Sequence, residues 1–195
     1  LVQAGDVVIS SQIHSSINKL IELSKNDDIE AAFLVQTVTD PERHGIVTTK
    51  KDEDISLVTK VVEKPKDPDT NIGIMPFYFF RSSIFDALNE ITPGYGNEIQ
   101  LTDAIQKLIE SGKNVAAIKM DKETILDVGT PESLALASHY VQVIEDRQSI
   151  SIACPEEVAW RMNKISNSDL RDLTKNLPNC NYKDYLSELP KKRKY

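Results

Sequence analysis

The run AAFLVQTV, residues 31–38, is mostly apolar and has the length of a buried β-strand. Before it, apolar residues recur at helical spacing from Ile13 to Ile21 and predict an amphipathic helix between Gln12 and Ser24. A strand, a helix and a strand in close succession indicate a crossover unit with parallel strands. We therefore predict an α/β fold with a Rossmann-like, mostly parallel sheet.

The next part of the chain adds strands to this unit. The β-rich stretches Ile46–Thr48 and Ile55–Glu63 predict a hairpin, and Ile72–Phe80 predicts a buried strand. Pro76 lies inside that last strand and removes a donor from the hydrogen-bond ladder. A bulge or a shift in pairing is therefore expected at Pro76.

The last part of the chain is polar and helical. Thr130-Pro131 is typical of a helix start, with a threonine cap and a proline at the first helical position. Short helices are predicted after Arg147, and Ser166 with Asp169 forms a capping pair. We predict a body at residues 1–146 and a C-terminal α-helical appendage at residues 147–195.

Composition excludes several classes of protein. The formal net charge of −7 argues against a general nucleic-acid binder, whose affinity depends on neutralising phosphates. No run approaches the roughly 20 apolar residues of a membrane span. The two cysteines, Cys154 and Cys180, lack metal-ligand spacing and fit reduced thiols, so we expect a cytoplasmic location.

Two aspartates occupy similar places far apart in the chain. Asp6 follows Gly5 at the end of a strand, and Asp127 lies close to Gly129 at the end of another. Two such carboxylates suit a shared Mg²⁺, which takes one or two protein carboxylates and completes its octahedron with phosphate and water. The alternative is that each aspartate only caps a turn or the following helix.

A second group of polar residues surrounds Glu63-Lys64-Pro65. The lysine suits a phosphate group, and the glutamate suits the hydroxyls of a sugar. Gly45 allows close approach of a ligand to the backbone, and Glu98 is a candidate for orienting it. A surface charge pair and an ordinary turn are the alternative interpretations.

These segments occur in an order that resembles the sugar-1-phosphate nucleotidyltransferases, of the glucose-1-phosphate thymidylyltransferase and UTP-glucose-1-phosphate uridylyltransferase type. The resemblance covers nearly the whole chain. The segments that carry it are Gly5-Asp6, the loop and strand at residues 40–47, Glu63-Lys64-Pro65, residues 97–103, residues 127–132 and, in the tail, residues 144–148 and 154–159.

The resemblance implies an enzyme that transfers a nucleotidyl group from UTP or dTTP to a hexose 1-phosphate, most simply glucose 1-phosphate, with Mg²⁺ as cofactor. It implies that Asp6 and Asp127 hold the metal and that Lys64 contacts the sugar phosphate. Lys64, Asp6 and Asp127 are thus the expected catalytic residues, and Glu63, Gly45 and Glu98 are expected to bind substrate. A homo-oligomer is also implied.

One element of the family is missing from these residues. The glycine-rich loop Gly-Gly-x-Gly-Thr-Arg, which wraps the triphosphate, does not occur in the sequence. We therefore expect a chain truncated at its N-terminal strands and inactive alone. The alternative is a non-catalytic binding or assembly module, serving as an oligomer contact or a regulatory nucleotide site. A glycine-rich loop encoded before Leu1 would favour the enzyme.

Overall fold

The computed structural model describes residues 1–9, 13–51, 53–120 and 125–191. The chain divides into two compact units, Leu1–Gly129 and Thr130–Tyr195. The first unit contains the strands and helices β1 (Val2–Gln3), β2 (Val7–Ile9), α1 (His14–Ser24), β3 (Ala31–Thr37), β4 (Gly45–Thr49), β5 (Ile55–Glu63), β6 (Ile72–Phe80), α2 (Ser83–Glu90), α3 (Leu101–Glu110), β7 (Val115–Lys119) and β8 (Ile125–Asp127), with short 3-10 turns at Pro41–Arg43 and Tyr95–Asn97.

The core of the first unit is a six-stranded sheet in the order β1-β6-β3-β7-β5-β4, with an additional pairing between β4 and β6. The predicted strand at residues 31–38 is β3, which lies inside the sheet. Its successive side chains point to opposite faces, so Phe33 packs in one apolar cluster and Leu34 in the other, and both are fully buried. Helix α1 contributes Leu20 to the Leu34 cluster, and α3 contributes Ile105 to the Phe33 cluster.

The α/β class is confirmed, but the prediction of a mostly parallel sheet is wrong. Among the described strands only β3 and β7 pair in parallel, and the remaining pairings are antiparallel. The predicted crossover fails because β2, the strand before α1, pairs with β8 in a separate ribbon instead of joining β3. The link between β4 and β5 is shorter than the roughly 12 residues that a parallel crossover needs, so these two strands pair as an antiparallel hairpin.

The irregularity expected at Pro76 is confirmed. Along β3 and β6 the register passes from Phe33 opposite Tyr78 to Val35 opposite Ile74, so β6 carries extra residues around the proline. The carbonyl of Pro76 accepts a hydrogen bond from the N–H of Ala4 at 3.2 Å. The bulge thus ties the chain just before Asp6 to the edge of the sheet.

The second unit is helical. Thr130 caps its first helix in a reciprocal pair with Ser133, and Ser166 with Asp169 forms the predicted capping box of a later one. The compact unit begins at Thr130, so it includes the helix that the sequence assigned to the body; the division after Asp146 stays a prediction. The helices are α4 (Pro131–Gln148), α5 (Pro155–Arg161), α6 (Asn167–Lys175) and α7 (Asn181–Glu188), followed by a 3-10 turn at Leu189–Lys191.

Trp160 is the centre of the core of this second unit, where it is 1% exposed. It packs with Leu170 and Leu186, which come from the following two helices. None of the helices in the described part of the chain combines the length and the apolarity that a membrane crossing needs. Gln12, where the sequence places the start of α1, lies outside the described residues.

Candidate functional site

The hairpin of β4 and β5 brings three of the predicted site residues together. Gly45, the first residue of β4, lies opposite Glu63, the last residue of β5. Beyond this pair, the N–H of Lys64 donates a hydrogen bond to the carbonyl of His44 at 3.0 Å. The hairpin register therefore places Gly45, Glu63 and Lys64 side by side at the end of the sheet.

The Glu63 carboxylate is held from one side. The hydroxyl of Thr102, in the first turn of α3, donates a hydrogen bond to Oε2 of Glu63 at 2.9 Å. The Glu63 side chain is only 13% exposed. Burial raises the pKa of the nearby Tyr78 phenol to about 12, and the negative charge of Glu63 adds to that rise. The other oxygen of Glu63, Oε1, forms an ion pair with the Lys64 ammonium.

Lys64 has an unusual backbone and a defined head-group position. Its φ is 40°, in the left-handed region that a non-glycine residue seldom adopts. The Nζ atom lies 3.6 Å from Oε1 of Glu63 and 5.0 Å from the centre of the Tyr95 ring. The side chain is 37% exposed, so the ammonium is open to an anion from solvent.

Gly45 has no room for a side chain. A Cβ atom at this position would lie 2.7 Å from Cγ2 of Thr102 and 3.2 Å from Oε2 of Glu63. Contacts under about 3 Å force a shift, and Thr102 is nearly buried at 7% exposure. The glycine is therefore required by the close approach of α3 to the end of the hairpin.

Glu98 takes a different place from the other predicted substrate-binding residues. It lies in the loop before α3, where its carbonyl accepts a hydrogen bond from the N–H of Gly94 at 2.9 Å. Its side chain is exposed. Glu98 belongs to the same segment as Tyr95, and within the described residues its side chain forms no hydrogen bond or ion pair with Glu63 or Lys64.

The two predicted metal ligands are neighbours. In the ribbon of β2 and β8, Val7 lies opposite Asp127, and the N–H of Val128 donates to the carbonyl of Asp6 at 3.1 Å. Both aspartates are exposed. Oδ2 of Asp127 also accepts a hydrogen bond from the N–H of Gly129 at 3.2 Å, which is the turn cap of the alternative interpretation.

This acidic pair suits one kind of metal site. Within the described residues no group of three or more histidine, cysteine or carboxylate side chains could hold a metal ion. Two exposed carboxylates on neighbouring backbone segments fit Mg²⁺ because that ion keeps several waters and takes further oxygens from substrate phosphates. The pair lies on the ribbon, whereas Glu63 and Lys64 lie at the end of the six-stranded sheet.

Sequence reasoning missed the two residues that contact Glu63 and Lys64, which are Thr102 and Tyr95. Thr102 lies in the first turn of α3 and Tyr95 lies in a loop, and neither position by itself indicates a contact with the hairpin. A threonine in the first turn of a helix is an ordinary cap signal, and the distance between Thr102 and Glu63 in the sequence hides their contact. The sequence signal that could have indicated Tyr95 is an aromatic residue flanked by glycines, in the run Pro93-Gly94-Tyr95-Gly96-Asn97.

Comparison with known proteins gives a consistent match. The family model described as nucleotidyl transferase matches residues 1–143. A glucose-1-phosphate thymidylyltransferase of Neisseria meningitidis serogroup A is 30% identical over 162 residues, which are 83% of this chain and 55% of that protein. A UTP–glucose-1-phosphate uridylyltransferase of Haloferax volcanii is 32% identical over 144 residues, which are 73% of this chain and 56% of that protein.

A solved structure agrees with these relatives. The crystal structure of a UDP-glucose pyrophosphorylase complexed with UDP-glucose superimposes with a TM-score of 0.63 at 25% identity, over 71% of this chain and 53% of that one. The chain thus spans about half the length of the relatives and structures that it matches.

Proposed function

The chain belongs to the nucleotidyl transferase family, and from that premise we propose that it is the sugar-phosphate-binding and metal-binding part of an enzyme that joins a nucleotidyl group to a hexose 1-phosphate. The donor is UTP or dTTP, and glucose 1-phosphate is the simplest acceptor. The relatives' names support this choice, since they include both a thymidylyltransferase and a uridylyltransferase for glucose 1-phosphate.

The observation that carries the proposal is the arrangement of Gly45, Glu63 and Lys64. The Lys64 ammonium is accessible to a phosphate dianion, because its side chain is 37% exposed and its ion pair with Glu63, at 3.6 Å, is longer than a direct hydrogen bond. Oε1 of Glu63 is left to accept hydrogen bonds from sugar hydroxyls. The absence of a side chain at Gly45 allows Thr102 and Glu63 to pack against the start of β4.

The chemistry needs positioning more than acid or base help. An oxygen of the sugar 1-phosphate forms a new bond to the α-phosphorus, and the bond from that phosphorus to the bridging oxygen breaks. Pyrophosphate leaves with the electron pair of the broken bond. Because a phosphate monoester is largely ionised near neutral pH, the nucleophile needs no proton removed. Lys64 would hold the attacking group and offset its charge.

Asp6 and Asp127 are the residues that would hold Mg²⁺. When bound, the ion supplies charge neutralisation at the phosphates. The cap on Oδ2 of Asp127 fixes the orientation of that carboxylate, which leaves Oδ1 for a ligand. We propose further that these 195 residues bind hexose 1-phosphate without appreciable turnover, because their sequence contains no glycine-rich triphosphate loop. Assembly into a homo-oligomer is also part of the proposal.

Calorimetric titration with glucose 1-phosphate tests the binding step. We expect the unaltered chain to bind, and Lys64→Ala to bind about tenfold or more weakly, since it loses a charge-assisted contact with phosphate. Lys60→Ala is the matched control. It removes the same charge from β5, just before Lys64 in the chain, where Lys60 pairs instead with Asp69 at 2.6 Å. No binding by the unaltered chain, or equal binding by the two variants, would overturn the assignment.

A pyrophosphate-release assay with glucose 1-phosphate and UTP or dTTP tests the second step. We expect no appreciable release from these residues alone. Rapid turnover would refute the claim of inactivity. If a longer protein that also carries a glycine-rich loop bound glucose 1-phosphate without releasing pyrophosphate, the result would favour the alternative function of a binding module.

A further inference from the structure

The Glu63 carboxylate and the Lys64 ammonium are adjacent in sequence and form an ion pair without a direct hydrogen bond. Their closest atoms, Oε1 and Nζ, are 3.6 Å from each other, beyond the usual range of about 2.7–3.2 Å for such a hydrogen bond. Each has a second partner. Glu63 is held by Thr102, and Lys64 lies over the ring of Tyr95. Both partners come from one short segment, residues 95–102, which we call the bracing segment.

The bracing segment runs into α3, which anchors it on β5. Oε1 of Gln106 accepts a hydrogen bond from the N–H of Val61 at 2.8 Å, and Thr102 reaches Glu63 one helical turn earlier. The branched side chain of Thr102 has few rotamers, and its methyl group faces Gly45. The Thr102 hydroxyl is therefore fixed relative to the end of the strand.

The loop part of the segment presents an aromatic ring. Tyr95 is 55% exposed, so apolar packing does not hold it in place. Its carbonyl accepts a hydrogen bond from Nε2 of Gln100 at 2.8 Å, and a second bond of 3.0 Å joins the N–H of Asn97 to the carbonyl of Gly94. Gly96 follows with a φ of 66° and closes the turn. These bonds order the backbone that carries the ring.

We propose that the bracing segment sets the spacing of the binding pair, with Tyr95 as the positioning residue for Lys64 and Thr102 as the positioning residue for Glu63. A cation over an aromatic face is attracted by the ring at distances up to about 6 Å. This attraction competes with the pull of Glu63, and it keeps the ammonium from collapsing onto the carboxylate. The inference rests on the proposed function for its ligand, a hexose 1-phosphate.

The spacing has a consequence for ligand choice. A hexose 1-phosphate uses both groups, its phosphate on Lys64 and its hydroxyls on Glu63, whereas inorganic phosphate uses Lys64 alone. Loss of Tyr95 should weaken both ligands. Loss of the Thr102 hydroxyl should weaken glucose 1-phosphate and leave inorganic phosphate nearly unchanged. A role for Thr102 in stability alone would weaken both ligands equally.

The first test needs no ligand. The ring current of Tyr95 should shift the Lys64 side-chain proton signals upfield in the NMR spectrum of the unaltered chain. Tyr95→Phe keeps the ring and should keep the shift, whereas Tyr95→Leu should abolish it. Because the side chain is more than half exposed, the leucine variant is expected to fold. Unshifted Lys64 signals in the unaltered chain, or an unchanged shift in Tyr95→Leu, would overturn the role of Tyr95.

The second test is calorimetric titration with glucose 1-phosphate and with inorganic phosphate. We expect Thr102→Val to lower the ratio of the two affinities about fivefold or more, as loss of a hydrogen bond to a charged group should. Thr102→Ser keeps the hydroxyl and should restore the ratio. An unchanged ratio in Thr102→Val would overturn the role of Thr102. If the unaltered chain bound neither ligand, the proposed function would fail, while the ring-current result would still decide the position of Lys64.

Discussion

Gly45→Ala is the substitution for which the structure gives the sharpest expectation. The added Cβ would lie 2.7 Å from Cγ2 of Thr102, 3.2 Å from Oε2 of Glu63 and 3.4 Å from Cδ1 of Ile74. The methyl group of Thr102 could move away only by rotation of its side chain, which would also withdraw the hydroxyl from Glu63. The alanine therefore forces either overpacking or the loss of a hydrogen bond to a carboxylate.

Either response costs a similar amount. Overpacking of a filled site costs about 1–3 kcal/mol, and a hydrogen bond to a charged group is worth about 1.5–3 kcal/mol. We expect Gly45→Ala to lower the free energy of unfolding of the first unit by about 1–3 kcal/mol and to weaken binding of glucose 1-phosphate. Gly5→Ala is the control, because nothing lies within 4 Å of its Cβ position.

The assay must report on the first unit. Trp160, the only tryptophan, lies in the second unit, so its fluorescence reports there. Hydrogen–deuterium exchange of peptides from β4 and β5, measured as a function of urea, gives the free energy of opening at the site itself. Equal free energies for Gly45→Ala and Gly5→Ala would show that α3 does not press on the hairpin, and would refute the reasoning.

Three further changes have defined outcomes. Mn²⁺ serves as the probe for the Mg²⁺ site, and its binding is measured by electron paramagnetic resonance. Asp127→Asn should weaken Mn²⁺ binding, whereas Asp86→Asn on the exposed face of α2 should not. Equal Mn²⁺ binding by the two variants would exclude Asp127 as a ligand. Burial and the charge of Glu63 raise the pKa of Tyr78 from 10.0 to about 12. Between pH 10 and pH 12 the folded state therefore keeps a proton that the unfolded state loses. The free energy of unfolding should fall over this range. In urea titrations Tyr78→Phe should show a smaller fall, by up to about 3 kcal/mol, and an identical fall would contradict this assignment. Ser166→Ala removes a helix cap and should destabilise the second unit by about 1 kcal/mol in tryptophan-fluorescence urea titrations, a result that an unchanged midpoint would exclude.

Local patterns in the sequence predicted most of the individual elements. The apolar run of β3, the hairpin of β4 and β5, and the capping box at Ser166 depend on residues close together in the chain, and all three are confirmed. Strand pairing was not predictable in the same way. The pairing of β2 with β8 joins segments at opposite ends of the first unit, and no local pattern specifies it.

The same distinction applies to the candidate site. Gly45 and Glu63 meet because they lie at the open end of one hairpin, whose register follows from local sequence. Tyr95 and Thr102 reach the pair only because α3 packs on β5. Such a contact depends on tertiary packing, so the segment at residues 97–103, although it contains Thr102, does not reveal it.

The central claim is that the end of the β4–β5 hairpin binds a hexose 1-phosphate. NMR titration of the ¹⁵N-labelled chain with glucose 1-phosphate tests it most directly, because each backbone amide reports on its own surroundings. We predict saturable shifts of the amide signals of Gly45, Glu63 and Lys64, and unchanged signals from the core of the second unit around Trp160. Saturable shifts confined to the second unit, or no shifts at the end of the hairpin, would contradict the claim.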